Sequence, residues 1–150
     1  MKQAFMQKAI ELAYENVRRK GEPYGAVVVK NGEIIGTGAN DVNATNDPTA
    51  HAEIQAIREA CQRLSSTDLS DCEMYASGEP CPMCMSTIYW TRFKKVYYAY
   101  PKNPAENELG AAYIYKQLSL PIHERAIPME KMENNEPDKD PIKRWQEMNE

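Results

Sequence analysis

The chain has 150 residues, 42% of them hydrophobic and 27% charged, the size and composition of one globular domain able to bury a core without disulfides. Its formal net charge is −4, and the stretch from Glu130 to Glu150 holds seven acids and four bases, so most of that charge sits in the tail. Neither part has the basic surplus that long nucleic acids require, and no stretch approaches the roughly 18 apolar residues of a membrane span or the pattern of a signal peptide. A small polar substrate, no membrane, a cytoplasmic location and four cysteines used as thiols or ligands are the expectation.

Phe5, Ala9, Leu12, Ala13 and Asn16–Val17 recur at helical spacing and predict an amphipathic helix over 3–19 that Gly21 stops. Gly25 to Lys30 is a β-branched run that reads as a buried strand. Asn31-Gly32 is a two-residue hairpin turn, and Glu33 to Thr37 returns as the partner strand. Residues 40–49 read as a polar loop, with Asp47-Pro48 capping a helix over 48–63. Cys72 to Ser77 is a strand, 81–91 a helix and Val96 to Tyr100 a strand in which Tyr97, Tyr98 and Tyr100 pack. Ala111 to Leu118 fits a helix, and Arg144-Trp145 marks a short docking segment in a proline-punctuated tail. This order implies one mixed sheet covered by helices.

Two segments carry chemistry: His51-Ala52-Glu53 and Pro80-Cys81-Pro82-Met83-Cys84. Cys81 and Cys84 are three apart at a helix start, so both sulfurs reach one ion, and the N-terminal end of the helix favours thiolates. Thiolates with an imidazole select zinc. His51, Cys81 and Cys84 make three ligands and leave a fourth position open for water, the pattern of a catalytic rather than a structural site. Zinc with two thiolates and a neutral imidazole has no net charge, so a base beside it helps to ionise that water. Glu53, two residues past His51, points away from the ligand direction and is the candidate proton carrier. Taken alone, C-x-x-C also fits a redox pair or a structural zinc site, and H-x-E by itself carries little. Cys61 and Cys72 read as buried thiols, and His123 as a surface residue.

Together the two segments match H-x-E…P-C-x-x-C, the established signature of zinc deaminases. Asn46 to Glu53 and Glu79 to Cys84 resemble the cytidine deaminase-like superfamily and, within it, bacterial guanine deaminases; Pro23 to Val27, Ile88-Tyr89-Trp90 and Arg125 to Pro128 support the second likeness. The resemblance implies an α/β fold, a three-layer α/β/α sandwich with a five-stranded mixed sheet. It implies one zinc-dependent deaminase domain over 1–150, with one Zn²⁺ per chain and 129–150 as a charged segment that docks on or swaps with the partner of a homodimer. It also implies hydrolytic deamination of a free purine base, guanine to xanthine and ammonia, with zinc-bound water as nucleophile and Glu53 as proton shuttle. Asn40, the Ala52 backbone N–H, Tyr24 and Trp90 are the implied substrate contacts. Tyr24 stands where relatives commonly have phenylalanine and Gly78 where they have cysteine. Leu109-Gly110-Ala111 lacks the acid that relatives carry there, and Glu106, Glu108 and Glu124 are the candidate replacements. Rival readings are a tRNA adenosine deaminase, a cytosine or cytidine deaminase, and a non-catalytic zinc-stabilised binding module.

Overall fold

The computed structural model describes residues 1–102 and 110–150, and they form two compact units, Met1–Lys116 and Gln117–Glu150. In the first, α1 (Lys2–Arg18) leads to the hairpin β1 (Gly25–Lys30) and β2 (Glu33–Ala39); then follow α2 (Val42–Thr45), α3 (Ala52–Leu64), β3 (Cys72–Gly78), α4 (Pro82–Trp90) and β4 (Lys95–Tyr100). Helix α5 (Ala111–Ser119) begins in the first unit; the second holds a 3₁₀ turn at Ile122–Glu124 and α6 (Pro141–Met148).

The sheet has the order β2-β1-β3-β4, with β1 antiparallel to both neighbours and β4 parallel to β3. It is mixed, as expected, but has four strands among the described residues rather than five. Pro101 ends β4, and past it the described chain is helix, 3₁₀ turn and proline-broken tail. The predicted turn at Asn31-Gly32 is formed, with φ of 51° and 78°, the paired left-handed geometry that lets a two-residue loop follow the twist of the strands. Alternation along the strands sends Val27, Val29 and Tyr75 to one face, where Phe5, Met6 and Ala9 of α1 cover them. Ala26, Val28, Met74 and Ala76 face the other way, against Ala52, Ala56, Ile57 and Ala60 of α3 and Ile88 of α4. Burial from both sides explains the unbroken apolar run of β1. These are the two helical layers of an α/β/α arrangement.

A bulge on β2 pairs Val28 with Gly36 and Val29 with Ile34, leaving Ile35 unpaired. As a result Ile35 and Gly36 both face α3. A side chain at Gly36 would put its Cβ 2.3 Å from the Ala56 carbonyl oxygen, and one at Gly38 would lie 2.2 Å from that of Ala52. The two glycines therefore let α3 lie directly on the strand. Gly38→Ala is expected to cost about 1–3 kcal/mol of stability in urea denaturation, the usual range for overpacking. Because Ala52 separates His51 from Glu53, the same push displaces the candidate site.

Four sequence expectations change in detail. Residues 40–49 contain the short helix α2. Helix α3 starts at Ala52 with His51 as its N-cap residue, while Asp47 accepts from the backbone N–H and hydroxyl of Thr49 in a turn of its own; the proline after Asp47 starts no helix. Cys72 is fully buried but Cys61 only half so. Tyr97 does pack, stacked on Tyr75 with ring centroids 4.8 Å apart, whereas Tyr98 and Tyr100 are 50% and 63% exposed.

Candidate active site

Two helix starts meet at one point. His51 precedes the first turn of α3, and Cys81 is the N-cap residue of α4, whose first position is Pro82. Proline there loses no hydrogen bond, since the first amides of a helix lack intrahelical acceptors, and its fixed φ suits the turn. Cys81 Sγ accepts from the Cys84 backbone N–H at 3.5 Å, which sets the two sulfurs side by side. They share a point through this cap rather than through two positions within the helix. The hydroxyl of Tyr115 in α5 donates to the Pro80 carbonyl at 3.1 Å and ties down the loop before the cysteines.

His51 Nδ1 lies 3.5 Å from Cys81 Sγ and 3.5 Å from Cys84 Sγ, and the three ligand atoms are all within 4.8 Å of one another. Zinc bonds of about 2.3 Å to sulfur and 2.0–2.1 Å to nitrogen at a tetrahedral angle separate N from S by about 3.6 Å. The group fits zinc in spacing and donor chemistry. Electrostatics agree: hydrogen bonding from Cys84, and then from His51, holds the Cys81 thiol down at about 4, so Cys81 is a thiolate at neutral pH. The same contact with Cys81, and then burial, pushes the Cys84 thiol up, so in the metal-free chain the pair keeps one proton on Cys84. His51 is raised, first by its hydrogen bond with Cys81.

The group opens into a cavity of about 720 Å³, within the range of small-molecule sites. All its lining residues lie in the unit Met1–Lys116; besides His51 and Cys81 they include Glu22, Tyr24, Asn40, Glu53 and Glu79. Glu53 is 6% exposed, and burial pushes its carboxyl above the ordinary carboxylate range. Asn40 is 4% exposed: its Nδ2 donates to Glu22 Oε2 at 3.2 Å and its Oδ1 accepts from the Val42 N–H at 3.1 Å. Tyr24 lies over Gly78, where an added Cβ would sit 3.1 Å from the ring. The two departures noted in the sequence therefore fall at one contact.

Not every sequence candidate arrives there. Ala52 is fully buried and is not among the lining residues, and Trp90 stands at the end of α4, 83% exposed and off the cavity wall. At the other edge Ala111 lines the cavity and brings no acid. Glu106, Glu108 and Leu109 lie outside the described residues, and Glu124 belongs to the second unit. Several useful residues escaped the sequence reading. Asn16, taken as part of a helix face, donates from Nδ2 to the carbonyl oxygens of both Glu22 and Asn40, at 2.8 and 2.7 Å. Glu22 and Tyr100 line the cavity, and Tyr115 braces the cysteine loop. A polar Asn at the end of an apolar helical stripe was the one signal available for any of them.

A sheet between helical layers, with an imidazole and two cysteines meeting at two helix starts beside a buried glutamate, defines a zinc hydrolase of the deaminase type, acting on C–N bonds. The family model described as the cytidine and deoxycytidylate deaminase zinc-binding region matches residues 1–100, and the chain belongs to that family. The guanine deaminase of Bacillus subtilis (strain 168) is 48% identical over 128 residues, covering 84% of this chain and 82% of that protein. The X-ray structure of guanine deaminase from Bacillus subtilis superposes with a TM-score of 0.88 at 44% identity, over 97% of this chain and 93% of that one. The tRNA-specific adenosine deaminase of Aquifex aeolicus (strain VF5) is 42% identical over 98 residues, 65% of each chain.

Proposed function

We propose that this protein deaminates a free amino-purine, with guanine as its first substrate, releasing xanthine and ammonia. The observation that carries the reading is the buried Glu53 carboxyl at the cavity wall beside the His51, Cys81 and Cys84 group. Its standing next to a guanine deaminase over most of both chains supports the choice of base. Zinc held by these three side chains supplies a Lewis acid that makes water acidic enough to attack near neutral pH. Glu53 takes one proton from the attacking water and passes it to the ring nitrogen next to the attacked carbon; it then takes the remaining proton from the hydroxyl now on that carbon and delivers it to the amino group, which leaves as ammonia while the carbonyl forms. A carboxyl whose pKa is raised by burial suits both directions of that transfer. Asn40 presents its amide to the base from a position held by Glu22, Val42 and Asn16, and Tyr24 offers a ring face. The Ala52 N–H and Trp90 stay in the proposal as contacts to be tested, Trp90 from an exposed position.

The same reading includes a homodimer in which the C-terminal segment, residues 129–150, docks on or swaps with the partner while remaining part of one deaminase domain. Its support is α6, where Ile142, Trp145 and Met148 are 68%, 66% and 70% exposed. No helix among the described residues is long and apolar enough to cross a membrane. A cytoplasmic location is proposed because free cysteines and a thiolate site suit a reducing compartment.

Zinc-loaded protein offered guanine, guanosine, adenine, cytosine, pterins and a tRNA anticodon stem, with ammonia as readout, is expected to turn over guanine best. Preference for the RNA stem would favour the tRNA adenosine deaminase reading. Release from none of them would leave a zinc-stabilised binding module.

A further inference from the structure

Three acids line the cavity, and they are not equivalent. Glu53 stands beside the metal group. Glu79 is engaged by Lys102, whose backbone N–H donates to it at 3.4 Å and whose Nζ lies 3.9 Å away. Glu22 accepts on Oε2 from Asn40, and among the described residues no lysine or arginine comes within ion-pairing distance of it. Arg19 and Lys20 line a neighbouring cavity of about 440 Å³ whose wall Glu22 and Asn40 also form, and they make no ion pair with Glu22. A carboxylate has about four acceptor sites, and the bond from Asn40 uses one of those that Glu22 offers at the cavity wall. Its backbone is held: the Glu22 carbonyl accepts from Asn16 Nδ2 at 2.8 Å and from the Tyr24 N–H at 2.9 Å. A half-buried carboxylate without a cation needs donors, and a ligand that fills the cavity and displaces its water must bring them.

We propose that Glu22 selects the substrate: its carboxylate accepts a hydrogen bond from the N–H of the purine's imidazole ring, the position that carries the sugar in a nucleoside, so the cavity takes free bases in preference to their nucleosides and nucleotides. The inference rests on the free-base reading above and names the group that enforces it. A carboxylate can accept but not donate. A base whose ring nitrogen carries a sugar has lost the hydrogen that Glu22 needs, and a phosphate on that sugar adds repulsion from Glu22 and Glu53. Sites built to hydrogen-bond one group reject the analogue that lacks it, because the buried partner is left unpaired.

Binding of hypoxanthine and inosine to the zinc-loaded protein separates this role from a merely structural one. Hypoxanthine is a 6-oxopurine without the 2-amino group, so guanine chemistry does not consume it. Glu22→Gln keeps an oxygen for Asn40 Nδ2 and replaces the carboxylate's remaining acceptor sites with an amide NH₂. Wild type is expected to bind hypoxanthine at least tenfold more tightly than inosine. In Glu22→Gln the Kd for hypoxanthine should rise about 10–100-fold, the worth of a hydrogen bond to a charged group, while that for inosine, zinc content and Tm stay as in wild type. Equal weakening of both ligands means that Glu22 only braces Asn40, and no weakening means that it faces no ring N–H; either result overturns the inference. If Glu22→Gln does not fold, Glu22→Asp, with its shorter reach, must show the same selective loss of hypoxanthine. Failure of the free-base reading shows itself elsewhere, as wild type that releases no ammonia from guanine.

Discussion

Glu53→Gln is expected to keep about one zinc per chain and to lose turnover by about 10²–10⁴, the span typical of a general acid–base group. Glutamine matches the shape of the carboxyl but cannot exchange the proton. Metal analysis alongside ammonia release checks both halves, and loss of zinc would recast Glu53 as a ligand. A stability readout adds a third. Burial raises the Glu53 carboxyl above its ordinary 4.5, so the folded metal-free chain disfavours the charged form. The contribution of Glu53 to stability is therefore full below pH 4.5 and falls as pH rises through the folded pKa. At neutral pH the metal-free Glu53→Gln chain should melt no lower than metal-free wild type. A residue whose loss spares stability and abolishes turnover is the signature of a site kept for chemistry.

Removing the metal is the second large effect. His51→Ala, Cys81→Ser, Cys84→Ser and chelation of wild type should each strip zinc and lower Tm without unfolding the chain at room temperature, because both faces of the sheet are packed independently of the site. At zinc a thousandfold above Kd, binding stabilises the fold by about 4.1 kcal/mol. For a chain of this size that corresponds to a Tm fall of about 8–16 °C on metal loss. The pH dependence follows from where the protons sit. Cys81 is already a thiolate above about pH 4, while Cys84 is pushed up and His51 is raised. Zinc must displace protons from those two, so its affinity should fall as pH falls and binding should acidify a weakly buffered solution. For Cys81, with its folded pKa depressed, the stabilisation of the metal-free chain is full above 9.0 and is lost as pH falls to about 4. Zinc affinity that did not change between pH 8 and 6 would contradict this proton placement.

The metal group was legible because it is local chemistry: C-x-x-C at a helix start and H-x-E at another are each set by a few adjacent residues. The strands were legible for the same reason, since β-branched runs and Asn31-Gly32 act through near neighbours. The cap of α3 was misplaced because Asp47-Pro48 has the right local form; the tertiary contact of α3 with Gly36 and Gly38 and the turn at Asp47 start the helix at Ala52 instead. The fifth strand came from resemblance alone, and no run of alternating residues marks it in the described chain.

The amino-acid sequence by itself determined the reaction class, because three candidate zinc ligands and a candidate base occupy two short motifs, each set by a few adjacent residues. Tertiary structure alone decided what lines the cavity at that metal group and what holds the lining in place. Asn16 from α1, Glu22 and Asn40 from the ends of the first hairpin, and Tyr115 from α5 converge across up to 99 positions of chain. Hydrogen bonds between residues so far apart leave no periodicity in the sequence, so the residues that line and brace the cavity become visible only when the sheet brings them together.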